Sequence, residues 1–415
     1  MGEPGRLRVA LVVYGLPGGG MEKMLLTLGA FLRANGMVVD VVTTEYRGAW
    51  FGRVAEAGLR PVHVEGAERA WRAVLPHYLT VGRRLARGGY DAVLLNYARF
   101  AQASLGMLPD RTLRVSILHN DHPRVIGVGC ANRSALDAVV AVGPRLADRA
   151  VSLAGGRPVL TIPNGVDIPP ADALARRRPW GTPLRLACVG RVDHRQKGVL
   201  LLPDILGALD RVGIDFRLAV AGDGPDAPEL ASTLKSGPFA DRVDLMGAVP
   251  PEAVYPILLD THFLLMPSSF EGLPLTLMEA MACGCVPVVS RLTGITDTLV
   301  SEGANGWFAA AGDPAGFADA VRRGAEPGRW SAMSRDAAET ARRRYSSEAM
   351  CASYLALIRG GPAGVRPCPR SRRRRFPLHL PTVLRYALVP PYTALRSRLG
   401  LMGSRKVGRR TEKGL

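Results

Sequence analysis

His262-Phe-Leu-Leu-Met-Pro-Ser-Ser-Phe-Glu-Gly-Leu-Pro-Leu-Thr-Leu-Met-Glu-Ala-Met-Ala-Cys-Gly-Cys-Val-Pro-Val-Val289 is the stretch that decides the architecture. It opens on an apolar run, Phe263 to Met266, closed by Pro267. A polar loop with Ser268, Ser269, Glu271 and Gly272 follows. A helix is expected from near Pro274, because proline suits an early helical position. Val286 to Val289 is the next apolar run. Strands that are apolar throughout and alternate with helices belong to a parallel sheet covered on both faces.

The same alternation runs outward in both directions. Upstream, strands are expected at Arg8–Tyr14, Val38–Thr43, Ala92–Leu95, Val115–Leu118, Ala138–Val142 and Val159–Ile162. A helix is expected over Met21–Ala34, with Gly36 as its stop. The pattern breaks at residues 163–183, where Pro163-Asn-Gly165, Pro169-Pro170 and Gly181-Thr-Pro183 read as an interdomain linker. A second series follows it, with strands at Arg185–Gly190, Phe216–Ala221 and Val243–Met246 and a helix at Leu200–Val212. With 415 residues the chain exceeds what one core serves, so two domains are expected. Hydrophobic residues make up 47% and charged residues 22%, a globular balance that excludes wholesale disorder.

The six cysteines are scattered, with no CxxC pair and no histidine cluster. They read as reduced thiols of a cytoplasmic protein rather than as a zinc or disulfide framework. Arg6 and Arg8 precede an apolar run too short for a signal peptide, and no run approaches the ~20 residues that span a bilayer. The net charge is +18, but residues 361–415 hold fourteen Lys or Arg against Glu412 alone, a share of +13. A nucleic-acid-binding body is therefore not implied. The tail interleaves short apolar patches with cations, as in Arg372-Arg-Arg-Arg375 before Val383, Leu384, Ala387 and Leu388. That pattern fits attachment to an anionic membrane surface without a span. No specific nucleic acid is expected; RNA and a merely solubilising tail are the competing readings.

Four constellations carry chemistry. Glu271 would stand at a strand's carboxyl end and Glu279 within the following helix, and open α/β sheets bind ligands at such edges. Gly190-Arg-Val-Asp-His-Arg-Gln-Lys-Gly198 lies between a strand and a helix and offers two cations, Arg191 and Lys197. Gly18-Gly-Gly-Met-Glu22 follows the first strand, and glycine there admits close backbone approach to a phosphate or sugar. His119, ahead of His122, ends the strand Val115–Leu118; near-neutral imidazole suits a hydrogen bond to a ligand hydroxyl or proton movement. Gly222-Asp-Gly-Pro225 reads as a structural turn. The glycine loop is not GxGxxG, which leaves dinucleotide binding through Asp40 or Glu45 a weak second. Isolated, each of these would be a capping acid, a solvated basic loop or a surface histidine.

Together they resemble the retaining glycosyltransferases of family 4, in which two glutamates flank seven residues. The resemblance covers roughly residues 6–360 and is most specific in 185–310. It implies an α/β fold of two Rossmann-like domains facing across a cleft, the GT-B arrangement. Their expected bounds are 1–165 for the acceptor side, 166–183 for the linker and 184–344 for the nucleotide-sugar side. A helix at 345–363 returns to the first domain, and 364–415 is the basic tail. By resemblance Glu271 touches the donor sugar, Glu279 the ribose hydroxyls, and Arg191 and Lys197 the diphosphate, with no metal and no cofactor. Gly19, Gly190, Gly272 and Leu273 would line the donor site, and His119 would lie beside the reacting sugar. The expected activity is metal-independent transfer from a UDP- or GDP-linked sugar to a glycan or lipid-linked acceptor. A nucleotide-sugar epimerase and a non-catalytic sugar-nucleotide-binding scaffold are the alternatives. One departure stands out: where many members carry Gly-Gly-x-x-Glu, this chain reads Leu292-Thr-Gly-Ile-Thr-Asp297, which puts donor-sugar contacts there in doubt.

Overall fold

Thirteen parallel strands, divided between two sheets, run with their carboxyl ends toward a shared cleft in the computed structural model, which describes residues 6–66 and 74–360. In the first sheet, β1 (Arg8–Val13), β2 (Val38–Thr43), β3 (Arg60–His63), β4 (Ala92–Asn96), β5 (Leu113–Leu118), β6 (Ala138–Ala141) and β7 (Val159–Thr161) lie in the order β3-β2-β1-β4-β5-β6-β7. In the second, β8 (Leu184–Val189), β9 (Phe216–Ala221), β10 (Val243–Gly247), β11 (Phe263–Met266), β12 (Val286–Ser290) and β13 (Trp307–Ala309) lie in the order β10-β9-β8-β11-β12-β13. Each is a doubly wound sheet whose order reverses beside its first strand, between β1 and β4 and between β8 and β11.

The local reasons are visible in the burial. Val9 to Val13 are apolar throughout, three of them β-branched, and sealed on both faces. The helix Gly20–Ala34 buries Met24, Leu25, Leu28 and Leu32, one stripe at helical spacing, and Gly36 in a left-handed conformation ends it. The expected strands are present, each within about two residues of its reading. Two strands went unread. β3 is a four-residue edge with its first two residues exposed, and β13 is only three residues long and runs on into two alanines outside the strand, so neither stands out as a strand. The helix after β11 spans Leu275–Ala282, with Pro274 just ahead of it.

The second half of the linker is bound to the second domain. His262, 1% exposed, accepts the Arg185 N–H at Nδ1 and donates from Nε2 to Pro179 O at 2.9 Å. Trp180 packs against both His262 and Trp330. The chain crosses between domains a second time after the helix Pro327–Arg344. There Val166 N–H bonds to Tyr345 O and Ser347 N–H to Val166 O, each at 2.8 Å. The helix Ser347–Ile358 then lies against Gly20–Ala34, burying Met350, Cys351, Tyr354 and Leu357. The first domain's core continues through the interface into Leu277, Met278, Ala280 and Met281. Among the described residues no helix is long and apolar enough to cross a membrane. The basic tail lies outside the described residues.

Candidate active site

β8 and β11 are neighbours at the point where the second sheet's order reverses, so the loops that leave them diverge and open a crevice. Lys197 comes from the first loop and Glu271 from the second. Lys197 closes the short turn His194–Lys197, and Gly198 ends it in a left-handed conformation. A side chain at Gly198 would strike Pro267 O, so only glycine lets the two loops come this close. Lys197 Nζ consequently reaches Glu271 Oε1 at 2.8 Å. Ser268 Oγ donates to the same oxygen at 2.7 Å, and Gln196 Nε2 lies 3.5 Å from Oε2. Glu271 is 6% exposed.

Arg191 follows Gly190 out of β8 but does not join this cluster. Its Nη2 is 3.7 Å from Asp193 Oδ2, and the side chain is about one-third exposed. A weak, wet pair of this kind leaves the guanidinium free to swing. Asp297, the acid that replaces glutamate in the last cleft loop, is committed to its own turn. Its Oδ1 accepts the N–H groups of Gly294 and Ile295 at 2.7 and 3.1 Å.

The first domain meets these loops directly. A side chain at Gly272 would lie 2.4 Å from His119 O, so the loop after β5 and the loop after β11 touch across the cleft. His119 Nε2 is 2.8 Å from Asn96 Oδ1. Asn96 Nδ2 faces the carbonyls of Val12 and Leu94, each at 3.3 Å, which fixes Oδ1 as the acceptor. His119 therefore carries its proton on Nε2 and a lone pair on Nδ1. That Nδ1 is buried and has no hydrogen-bond partner among the described residues. Desolvation pushes the imidazole down to about 4, so the ring is neutral at physiological pH although the residue as a whole stays partly exposed. His122, by contrast, caps the helix Pro123–Gly129.

Glu279 faces a partner that sequence reading missed. Lys23, in the first turn of Gly20–Ala34, places Nζ 2.5 Å from Glu279 Oε1 across the cleft. Gly19 leads into that turn in extended backbone, and Leu273 is buried beside Gly272. Asn96, Ser268 and Gln196 were likewise missed. For Lys23 a signal existed: a cation in a helix's first turn opposes the helix dipole and calls for an anion elsewhere. Asp40 and Glu45, the acids weighed for a dinucleotide, are both occupied. Asp40 accepts from Tyr90 at 2.7 Å, and Glu45 is buried against Arg99 at 2.9 Å.

With this geometry established, comparison with known proteins is direct. Residues 18–168 match the model of Glycosyltransferase Family 4, and residues 183–326 match that of Glycosyl transferases group 1. The two matches tile the two domains, and the chain belongs to this family: it is a glycosyltransferase with the GT-B fold. A phosphatidylinositol N-acetylglucosaminyltransferase component of Arabidopsis thaliana is 26% identical to it over 326 residues, 73% of this chain and 71% of that one. The D-inositol 3-phosphate glycosyltransferase of Geodermatophilus obscurus is 29% identical over 362 residues, 73% and 77% of the two chains. The amylovoran biosynthesis glycosyltransferase AmsK of Erwinia amylovora is 31% identical over 147 residues, about a third of either chain (34% and 36%). Among solved structures, HepE of Anabaena in complex with UDP superposes with a TM-score of 0.67 at 18% identity, covering 85% of this chain and 100% of that one. Sucrose-phosphate synthase of Thermosynechococcus elongatus gives 0.68 at 19% identity, covering 85% and 98%. At these identities the structural likeness carries the fold.

Proposed function

We propose that the protein transfers a sugar from a nucleoside diphosphate donor, UDP- or GDP-linked, to an acceptor with retention of anomeric configuration and without a metal. The observation that carries this reading is the Lys197–Glu271 contact at the reversal point of the second sheet, with Arg191 on the same loop. The reaction needs cations where the bond to the leaving phosphate breaks, because charge develops there. Lys197 and a swung-in Arg191 supply them. Glu271 accepts hydrogen bonds from hydroxyls of the donor sugar, and Glu279 from the ribose. A carboxylate suits a vicinal diol because its two oxygens accept in parallel.

In this reading the C1–O bond to the diphosphate breaks as the acceptor hydroxyl bonds to C1, and the acceptor's proton passes to the departing phosphate. Neutral His119 lies beside this centre as a hydrogen-bonding group. The cleft excludes water, which otherwise competes as acceptor. The acceptor is proposed to be a lipid-linked or surface glycan. Two lines support that: the basic, apolar-studded tail read from sequence, and relatives whose names specify phosphatidylinositol and amylovoran biosynthesis. The same tail underlies the proposal that the enzyme attaches peripherally to the inner face of the membrane. The test is a panel of UDP- and GDP-sugars scored by thermal shift and then by release of nucleoside diphosphate with and without acceptor. A donor that stabilises the fold and is consumed only with acceptor supports transfer. Conversion to another sugar nucleotide without acceptor would indicate an epimerase instead.

A further inference from the structure

Glu279 sits in a helix whose neighbouring residues, Leu277, Met278, Ala280, Met281 and Ala282, are all sealed from solvent. A carboxylate in such a place costs free energy unless it is paired and hydrogen-bonded. Its one partner among the described residues is Lys23 of the other domain, 256 positions earlier, which meets Oε1 and leaves Oε2 without a protein hydrogen bond. Both side chains are shielded, at 24% and 7% exposure. The ammonium also stands 5.0 Å over the ring of Tyr255, whose hydroxyl is anchored on Asp167 O at 2.8 Å. Lys23 is thus boxed in by a ring and a carboxylate of the second domain while rooted in the first. For stability alone an apolar pair here would do as well or better. The dipole of its own helix also disfavours a cation in the first turn.

We infer that Lys23 is a positioning residue of the donor site, contributed by the first domain. It holds Glu279 through Oε1 and presents Oε2 to a ribose hydroxyl of the nucleoside diphosphate. This rests on the reading of Glu279 as the ribose-binding residue and adds a second domain to that contact. Because the pair exists only when the domains are together, ribose capture and cleft closure draw on one interaction. Without the ammonium, the carboxylate loses its fixed orientation and its reading of the ribose.

The experiment measures binding of UDP and GDP, and of their 2′,3′-dideoxy counterparts, by calorimetry. The proteins are the parent, Lys23→Ala, Glu279→Gln and the double variant. The parent is expected to prefer the ribose form of its nucleotide by about tenfold, the worth of roughly one to two hydrogen bonds. Lys23→Ala and Glu279→Gln should each bring that ratio near one, and the double variant should lower it no further. A lysine that merely braced the interface would weaken both forms equally, so a parent-like ratio in Lys23→Ala overturns the inference. Lys23→Met keeps the aliphatic stem and removes the charge, and it takes the place of Lys23→Ala should that variant fail to fold. A parent protein that binds neither nucleotide overturns the donor-site reading itself, a result distinct from a preserved ratio.

Discussion

Lys197 Nζ lies 2.8 Å from Glu271 Oε1, joining the loop that leaves β8 to the loop that leaves β11. Glu271 is shielded and shares that oxygen with Ser268. Removing the ammonium leaves a carboxylate with fewer partners and strips the proposed donor site of a fixed cation. Lys197→Ala is expected to lower turnover by tens-fold or more and to cost about 1–3 kcal/mol of stability through the under-partnered acid. Steady-state kinetics and denaturant unfolding report the two losses separately.

Arg191 should behave differently. Its pair with Asp193 is long, at 3.7 Å, and the arginine is partly in water, so its deletion removes little from the folded state. Arg191→Ala is expected to unfold within about 0.5 kcal/mol of the parent while losing tens-fold or more in turnover. Equal turnover would remove Arg191 from the diphosphate.

On the proposal that Lys197 and Arg191 supply the positive charge, a chelator is expected to leave turnover almost unchanged. Dialysis against chelator followed by assay checks this. Strong inhibition reversed by Mg²⁺ or Mn²⁺ would overturn metal-independent transfer.

The His119 ring is pushed down to about 4 by desolvation, against an ordinary value of 6.5. Between these values the unfolded chain binds the proton and the folded chain does not. Stability therefore rises with pH from about 4 to 6.5, and above that the contribution is complete. His77 and His262 are shifted in the same direction and add to the slope. His119→Gln keeps a donor toward Asn96 and removes the titration. Melting temperatures across pH 4–7 should fall less steeply on acidification in this variant than in the parent.

The tail is tested by co-sedimentation with anionic and neutral liposomes, comparing the full chain with a truncation after Gly364. The full chain should pellet with anionic vesicles and the truncated one should not. Equal behaviour of the two would sink the tail's role and leave the transferase assignment intact.

Legibility from sequence followed burial and chain distance. The central strands were readable because both faces of Val9–Val13 or Phe263–Met266 are sealed, which writes an unbroken apolar run. The edge strand Arg60–His63 writes none, and Trp307–Ala309 is too short to stand out from the alanines that follow it. The positions of the candidate site residues at strand ends were readable because the strand locates them: Arg191 and Lys197 after β8, Glu271 after β11, His119 after β5. The Lys23–Glu279 and Asn96–His119 contacts join elements far apart in the chain, and no periodicity encodes such a meeting. Asn96 ended a buried strand that sequence reading stopped at Leu95, so its side chain looked like a loop residue.

The return of the helix Ser347–Ile358 onto Gly20–Ala34 has a consequence during biosynthesis. A ribosome finishes the first sheet at Thr161, yet the apolar surface that Met350, Tyr354 and Leu357 will cover stays bare until the whole second domain has emerged. The amino-terminal half therefore completes its apolar burial only when the carboxyl-terminal helix arrives. A nascent chain paused within the second domain presents a sticky, half-clad first domain, the kind of surface that invites chaperone engagement or aggregation.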